Sequence, residues 1–206
     1  KMETRCSEKG IQGFADTQFA VAFADGGTSC WIDSPVKPES KYQSMLLELI
    51  DQLANNHKMG QRPDQRAVTG WSLGGYGALL LAARHPELVG SASSIIGLVD
   101  LPRTSPSGAC SLQLFGPAES APAELSIARQ AAGLRGTPIR LFCSVEGIDV
   151  PHHETLKAAL DKAEVQYQLV SCPGVRDMGT ALQMWPKVLA YHAEVFRKAS
   201  TQHKLQ

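Results

Sequence analysis

The sequence predicts an α/β domain with a mainly parallel central sheet, and three observations predict it. Strand-like apolar runs alternate with helical patterns through most of the 206 residues, the order in which a chain winds a parallel sheet between helices. One of those strands runs through a glycine-flanked turn straight into an Ala/Leu-rich helix. The length fits one domain, and 43% hydrophobic against 19% charged residues is the balance of a chain that buries a substantial core. No repeat, low-complexity tract or domain boundary divides residues 1–206.

The elements follow in order. Phe19–Phe23 (FAVAF) is a short apolar run ending at Asp25-Gly26-Gly27 and reads as a buried strand. Ser40–Asn56 is the clearest amphipathic helix, with Tyr42, Met45, Leu46, Leu49, Ile50 and Leu53 on one face and Ser40/Gln43 as a capping box. Arg66–Thr69 is a strand that enters Gly70-Trp71-Ser72-Leu73-Gly74-Gly75, and the helix behind it stops near His85-Pro86. Ser91–Ile96 is a small-residue strand. From about residue 100 to 136 the chain is rich in Pro, Ser, Gly and Ala with weak periodicity, and reads as a loop-rich excursion over the sheet edge, one form of which is a shortened cap. Ile139–Val145 is a strand, His153–Ala163 a helix, Val165–Val170 the last strand, and about Ala181–Lys198 a C-terminal helix.

Composition excludes several functions. Twenty Lys+Arg balance twenty Asp+Glu, so no basic excess marks a nucleic-acid binder. No apolar run approaches the length of a membrane span. The chain opens on Lys1 with no signal peptide and no initiator Met, which fits a processed or trimmed start, and a cytoplasmic setting is slightly favoured over a secreted one. Five cysteines, Cys6, Cys30, Cys110, Cys143 and Cys172, include no CxxC pair or His/Cys cluster, so no metal site is expected. Cys143 and Cys172 read as small buried hydrophobes.

The chemistry concentrates at Gly70-Trp71-Ser72-Leu73-Gly74. G-x-S-x-G between a strand and a helix is a nucleophile elbow. Its serine sits in a strained turn whose flanks, here Gly70 and Gly74, must be small so that backbone can pass closely. The turn lifts the Ser72 hydroxyl above the carboxyl end of the sheet, and the Leu73 N–H becomes an oxyanion donor helped by the helix dipole.

The segment GWSLGGYGALLLAARHPELVGSASSIIGLVDLP resembles the esterase D group of α/β-hydrolases, which includes S-formylglutathione hydrolases, feruloyl and acetyl esterases and mycolyltransferases. The upstream FADGGTSCWIDSP is similar to that family's Asp-Gly-Gly loop with its following aromatic residue. The likeness runs from about Phe19 to Phe196. It implies the α/β-hydrolase fold, a three-layer sandwich, and hydrolysis or transfer of an acyl group from an ester, with a small-molecule ester or acyl ligand as partner and no metal or organic cofactor. The family places a first strand and a His-Gly loop, donor of the second oxyanion N–H, ahead of the Asp-Gly-Gly segment. Lys1–Gln18 carry no such motif, so an N-terminally shortened fold is expected.

In such enzymes the acid and then the histidine follow the serine. Leu141–Asp149 resembles the family stretch that ends in the catalytic acid, which falls on Asp149, with Glu146 as the fallback and a solvated loop residue or helix N-cap as the plain alternative. Where the family reads Pro-Gly-Gly-His-Asp-Trp, this chain reads Pro173-Gly174-Val175-Arg176-Asp177-Met178. The position of the expected base is therefore Arg176. A guanidinium has no lone pair to accept the serine proton, and deleting a triad base costs about 10⁴- to 10⁶-fold in turnover. Arg176 is expected to form a salt bridge with Asp149. His152 and His153 are the candidate substitute bases, their plain reading being two exposed or capping residues, while His57, His85, His192 and His203 read as surface residues. Trp31 and Trp71 either line a ligand pocket or belong to the core.

Two functions stand on this reading: a serine carboxylesterase with an acyl-enzyme on Ser72, and an inactive relative that keeps the pocket to bind a ligand or partner. Acyl and alcohol specificity and the oligomeric state are not written in these motifs.

Overall fold

The computed structural model describes residues 19–27, 29–99, 123–146 and 149–203. Four strands, β1 (Ala67–Trp71), β2 (Ser91–Ile95), β3 (Ile139–Ser144) and β4 (Tyr167–Cys172), form one sheet in the order β1-β2-β3-β4, every pair parallel. The helices are α1 (Tyr42–Asn56), α2 (Leu73–Arg84), α3 (Val150–Lys162) and α4 (Met178–His203). Because neighbouring strands are parallel, each connection must cross over the sheet, and all four strands end at the same edge.

The register sorts side chains into layers. Trp71, Ile95, Phe142 and Val170 pair across the sheet in one row, and that row faces Ala181, Met184 and Val188 of α4 in one apolar cluster. On the opposite face, Ala92, Ile139, Leu141 and Cys143 pack with Leu79 and Leu80 of α2 and Leu156 and Leu160 of α3. The result is a three-layer sandwich, helix on sheet on helix, with two cores separated by one sheet. α2 is buried almost all round, from Gly75 to Ala83, which explains its Ala/Leu composition: a helix without a polar face belongs in the interior.

Several expectations need correction. Phe19–Phe23 is not a strand, and Phe23 is exposed. Its apolar run is used instead for scattered contacts, among them Phe19 edge-on to Phe196 of α4. The Ser40/Gln43 capping box does not form. Asp33, eleven residues before Ser44, accepts from both the Ser44 N–H (3.0 Å) and its hydroxyl (2.5 Å), so the first turn of α1 is capped from a distance. α3 begins at Val150 rather than His153, with Pro151 in its first turn, where a missing N–H is harmless. α4 begins at Met178 rather than Ala181 because Asp177 accepts the Thr180 N–H (2.7 Å), a bond that holds its carboxyl below the ordinary range.

Of the excursion, residues 100–122 lie outside the described residues. Its second part makes two 3₁₀ turns, Ala123–Leu125 and Ala131–Leu134, and sends Leu125, Ile127, Ala131 and Leu134 into the core. The Tyr76 hydroxyl donates to the Leu125 carbonyl (2.8 Å), fastening this segment to α2.

Cys143 and Cys172 are free and buried. They sit on adjacent strands one position out of register, Cys143 opposite Ser171 and Ser144 opposite Cys172, so they point to opposite faces and stay thiols. Burial pushes them up to about 12 and about 11. Cys30, fully buried, is disulfide-bonded, the usage of an oxidising compartment; it gives no support to the cytoplasmic preference. Cys6 and Cys110 lie outside the described residues. No helix among the described residues is long and apolar enough to cross a membrane.

Candidate active site

The site is built where the four strands end. Ser72 directly follows β1, Ile96 and Gly97 follow β2, Asp149 follows β3, and Arg176 follows β4. Ser72 stands between strand and helix with φ 53° and ψ −116°, a backbone region that costs a non-glycine residue of order 1–3 kcal/mol and survives only where its surroundings enforce it. The enforcement is visible. The Ser72 N–H donates to the Ile95 carbonyl (3.0 Å), and the Ser72 carbonyl accepts from the N–H groups of Tyr76 (3.1 Å) and Leu98 (3.2 Å).

Close backbone passage makes the turn possible, though not at both expected glycines. A Cβ on Gly70 would lie 2.3 Å from the Gly74 carbonyl carbon, whereas one on Gly74 would meet nothing within 4 Å. The requirement for a missing side chain falls on Gly70, and Gly74 contributes the backbone that Gly70 approaches. A second tight passage involves Gly75 and Gly97, whose Cβ atoms would sit 2.4 and 2.1 Å from the Ser94 hydroxyl oxygen. α2 is thereby held against the end of β2, and its N-terminus is fixed relative to Ser72.

The Ser72 side chain is half-buried and receives no hydrogen bond from any described residue. Leu73, the first residue of α2, has no backbone acceptor among the described residues, as helix geometry dictates. Its N–H and the positive end of the α2 dipole are available to a developing negative charge beside Ser72.

Across the edge, Arg176 Nη1 stands 3.2 Å from Asp149 Oδ1, the ion pair expected from the sequence. Asp149 is 6% exposed and occupies the N-cap position of α3, yet its side chain caps nothing; the carboxylate is spent on the guanidinium. Glu146, the fallback acid, is exposed. The Arg176 loop is seated by Ser144, whose hydroxyl lies 2.6 Å from both the Glu146 and Gly174 carbonyl oxygens. Gly174 takes φ 96°, the turn that lets the chain reverse there.

The histidines depart from expectation. His153 is 4% exposed rather than on the surface, and neither ring nitrogen has a hydrogen-bond partner. It shares the inner face of α3 with Leu156 and Leu160, and burial lowers its pKa from the ordinary value, the Asp149 carboxylate opposing. His152 is half-buried, and no described residue links either imidazole to Ser72 by a hydrogen bond. His192, read as a surface residue, is 2% exposed on α4. Its Nδ1 lies 2.8 Å from the Ser91 hydroxyl and its Nε2 2.9 Å from that of Ser93, which itself donates to the Thr69 hydroxyl (2.7 Å). Since the Ser93 proton goes to Thr69, His192 Nε2–H donates to Ser93 and Nδ1 accepts from Ser91. Burial, aided by the Arg140 charge, lowers His192 to about 4. This network pins α4 to β2 through groups with no route to the Ser72 edge.

Trp31 is half-buried, adopts φ 57°, and lays its ring in the space where side chains on Gly26 and Gly77 would be. Trp71 packs on the α4-side cluster, and its indole N–H is buried without a partner. Among the described residues no group of three or more His, Cys, Asp or Glu side chains could hold a metal ion.

Comparison with known proteins gives the family. A family model described as "Putative esterase" matches residues 35–185. Among curated proteins, the MPT51 antigen of Mycobacterium leprae is 48% identical over 99 residues, 47% of this chain and 32% of that protein. Esterase Rv1288 of Mycobacterium tuberculosis is 33% identical over 87 residues, 40% of this chain and 19% of that protein. The chain thus spans a third or less of the length of these relatives. Among solved structures, Mycobacterium tuberculosis MPT51 superposes with a TM-score of 0.75 at 19% identity, covering 91% of this chain and 80% of that one. A ferulic acid esterase gives 0.67 at 19% identity, covering 81% and 64%. These likenesses establish the α/β-hydrolase fold, and the family match covers most of the sequence; the chain belongs to this esterase family.

Proposed function

We propose that the chain acts on carboxylic esters through Ser72, as a serine esterase-type hydrolase whose turnover is held low because Arg176 stands where a base is needed. The observation that carries this is the strained Ser72 backbone, φ 53° and ψ −116°, at the strand-to-helix turn. Strain of that size in a half-buried serine is a cost to folding, and the chemistry that uses it is attack by an exposed hydroxyl.

In this reading Ser72 Oγ attacks the acyl carbon of a small-molecule ester while the Leu73 N–H stabilises the oxygen that gains charge. The C–O bond to the alcohol then breaks, leaving an acyl-enzyme on Ser72 that water hydrolyses to the free acid. The Ser72 proton must go to solvent, because Arg176 cannot take it. The leaving alkoxide must draw its proton from solvent as well. Such a site retains about 10³- to 10⁴-fold over water from the oxyanion donor and binding alone, and favours esters whose leaving group needs no protonation.

A second reading, a binding protein without turnover, is favoured by the ion pair of Asp149 with Arg176, which occupies the carboxylate that would orient an imidazole. Release of p-nitrophenol from a short-chain ester separates the two. The esterase reading expects a slow rate above buffer, abolished by Ser72→Ala and raised about 10²-fold or more by Arg176→His. The binding reading expects native protein and Ser72→Ala to match buffer while Arg176→His gains activity. If Arg176→His were as inert as Ser72→Ala, loss of the base would not explain the site, and the proposal would fall.

A further inference from the structure

Two histidines are buried in this molecule, and they are buried differently. His192 has a partner for each ring nitrogen, whereas His153 has none. A buried imidazole without a close partner for either ring nitrogen is costly and calls for an explanation in what faces it. From its own helix these groups are Asp149, one turn earlier, and His152. From the loop after β4 there is Arg176, and from the end of β3 the backbone of Ser144. Asp149 and His153 are joined through the backbone, the His153 N–H donating to the Asp149 carbonyl (3.0 Å). Asp149 at the N-cap of α3 and His153 one turn into it stand four residues apart, with the acid on the N-terminal side, the favourable order for an ion pair.

We infer that His153 is an acid-operated release for the Arg176 loop: when its ring takes up a proton it claims the Asp149 carboxylate, and Arg176 swings out. Asp149 cannot serve both cations without cost, since a buried His⁺–carboxylate–Arg⁺ triad carries a net positive charge and sets the two cations against each other. The asymmetry of exposure decides which one leaves. The Arg176 side chain is 26% exposed and opens to the surface, while His153 is 4% exposed. Val175 and Met178, flanking Arg176, are already more than half exposed, so the segment can move outward without tearing open a core. The direction of titration agrees: burial holds the ring neutral at neutral pH, so the ion pair is intact there and is lost on acidification. The inference rests on the ion pair and the orphaned ring, and holds whether or not Ser72 turns over an ester.

The test is backbone hydrogen exchange of residues 173–178 at pH 7.5 and pH 5.0, with rates corrected for intrinsic exchange. Native protein is expected to lose protection there by about tenfold at the lower pH, while α2 stays protected. His153→Gln should change by less than about twofold, and Arg176→Met should be unprotected at both pH values. His153→Leu fills the same pocket without a titrating ring, and gives the same flat profile if the glutamine variant does not fold. Unchanged protection in the native protein, an equal loss in both His153 variants, or parallel loss across α2 would overturn the inference.

Discussion

Two ends of one sheet edge tell opposite stories. At the end of β1 the backbone keeps an expensive conformation at Ser72, enforced by three hydrogen bonds and a glycine contact that tolerates no side chain. At the end of β4 the loop carries Arg176, tied to Asp149 at 3.2 Å, where the proposed site would need a base. Backbone geometry and proton chemistry are therefore separable. A fold can hold a nucleophile in place by packing alone, because the strain is shared with the core, while the base is one side chain whose replacement leaves the scaffold standing.

The comparison can be broken from either end, and the largest effect belongs to the β4 side. Removing one partner from a mostly buried ion pair leaves the other charge desolvated. Arg176→Met, which strands Asp149, should cost about 2–4 kcal/mol in urea unfolding, and more than Asp149→Asn, which strands the more exposed guanidinium. Equal small losses would mean that the pair contributes little. On the β1 side, Gly70→Ala forces a Cβ against the Gly74 backbone and should cost about 2–3 kcal/mol, whereas Gly74→Ala, with open space, should change stability by less than about 1 kcal/mol. A reversed order would contradict the account of the elbow.

How far these two regions could be read in advance differs for a physical reason. Gly70-Trp71-Ser72-Leu73-Gly74 was legible because the turn's demands are local: strain at one residue, a missing side chain at another. The Asp149–Arg176 contact was legible only through the resemblance to the esterase D group, whose acid and histidine positions these two residues match; a parallel sheet then brings the ends of β3 and β4 to one edge. What escaped were demands met at long range. Asp33 caps α1 from eleven residues away, and nothing in Ser40–Gln43 announces it. Phe19–Phe23 has a strand's composition, but composition alone does not place a segment in a sheet. His192 answers two hydroxyls on β2; the signal available was that Ser91 and Ser93 lie on a buried strand and had to find partners. His153 could have been placed inward from its spacing to Leu156 and Leu160.

The smaller effects sharpen the same contrast. Stability should fall as pH drops from about 6.5 toward 4. His192 and His153 have folded pKa values below the ordinary 6.5, so the unfolded chain binds protons first and the stability contributed by the neutral rings, full above 6.5, is lost on acidification. With His192 at about 4, its share is at most about 3 kcal/mol, and His192→Asn should flatten part of the profile in thermal melts; an unchanged profile would deny the buried network. Ser72→Gly, which relieves the positive φ, should stabilise the fold by up to about 1 kcal/mol, while Ser72→Ala should not. Equal effects would mean that the backbone at Ser72 is not strained.

The central claim is that the nucleophile is set and its base is missing. Labelling of Ser72 by a phosphonate ester, followed by mass spectrometry of the intact chain and its Ser72 peptide, reads this most directly. Slow labelling confined to Ser72 is expected in the native protein, with an acceleration of about 10²-fold or more in Arg176→His and none in the Ser72→Ala background. Fast labelling of native Ser72 that Arg176→His leaves unchanged would show that another group already serves as the base, and would contradict the account.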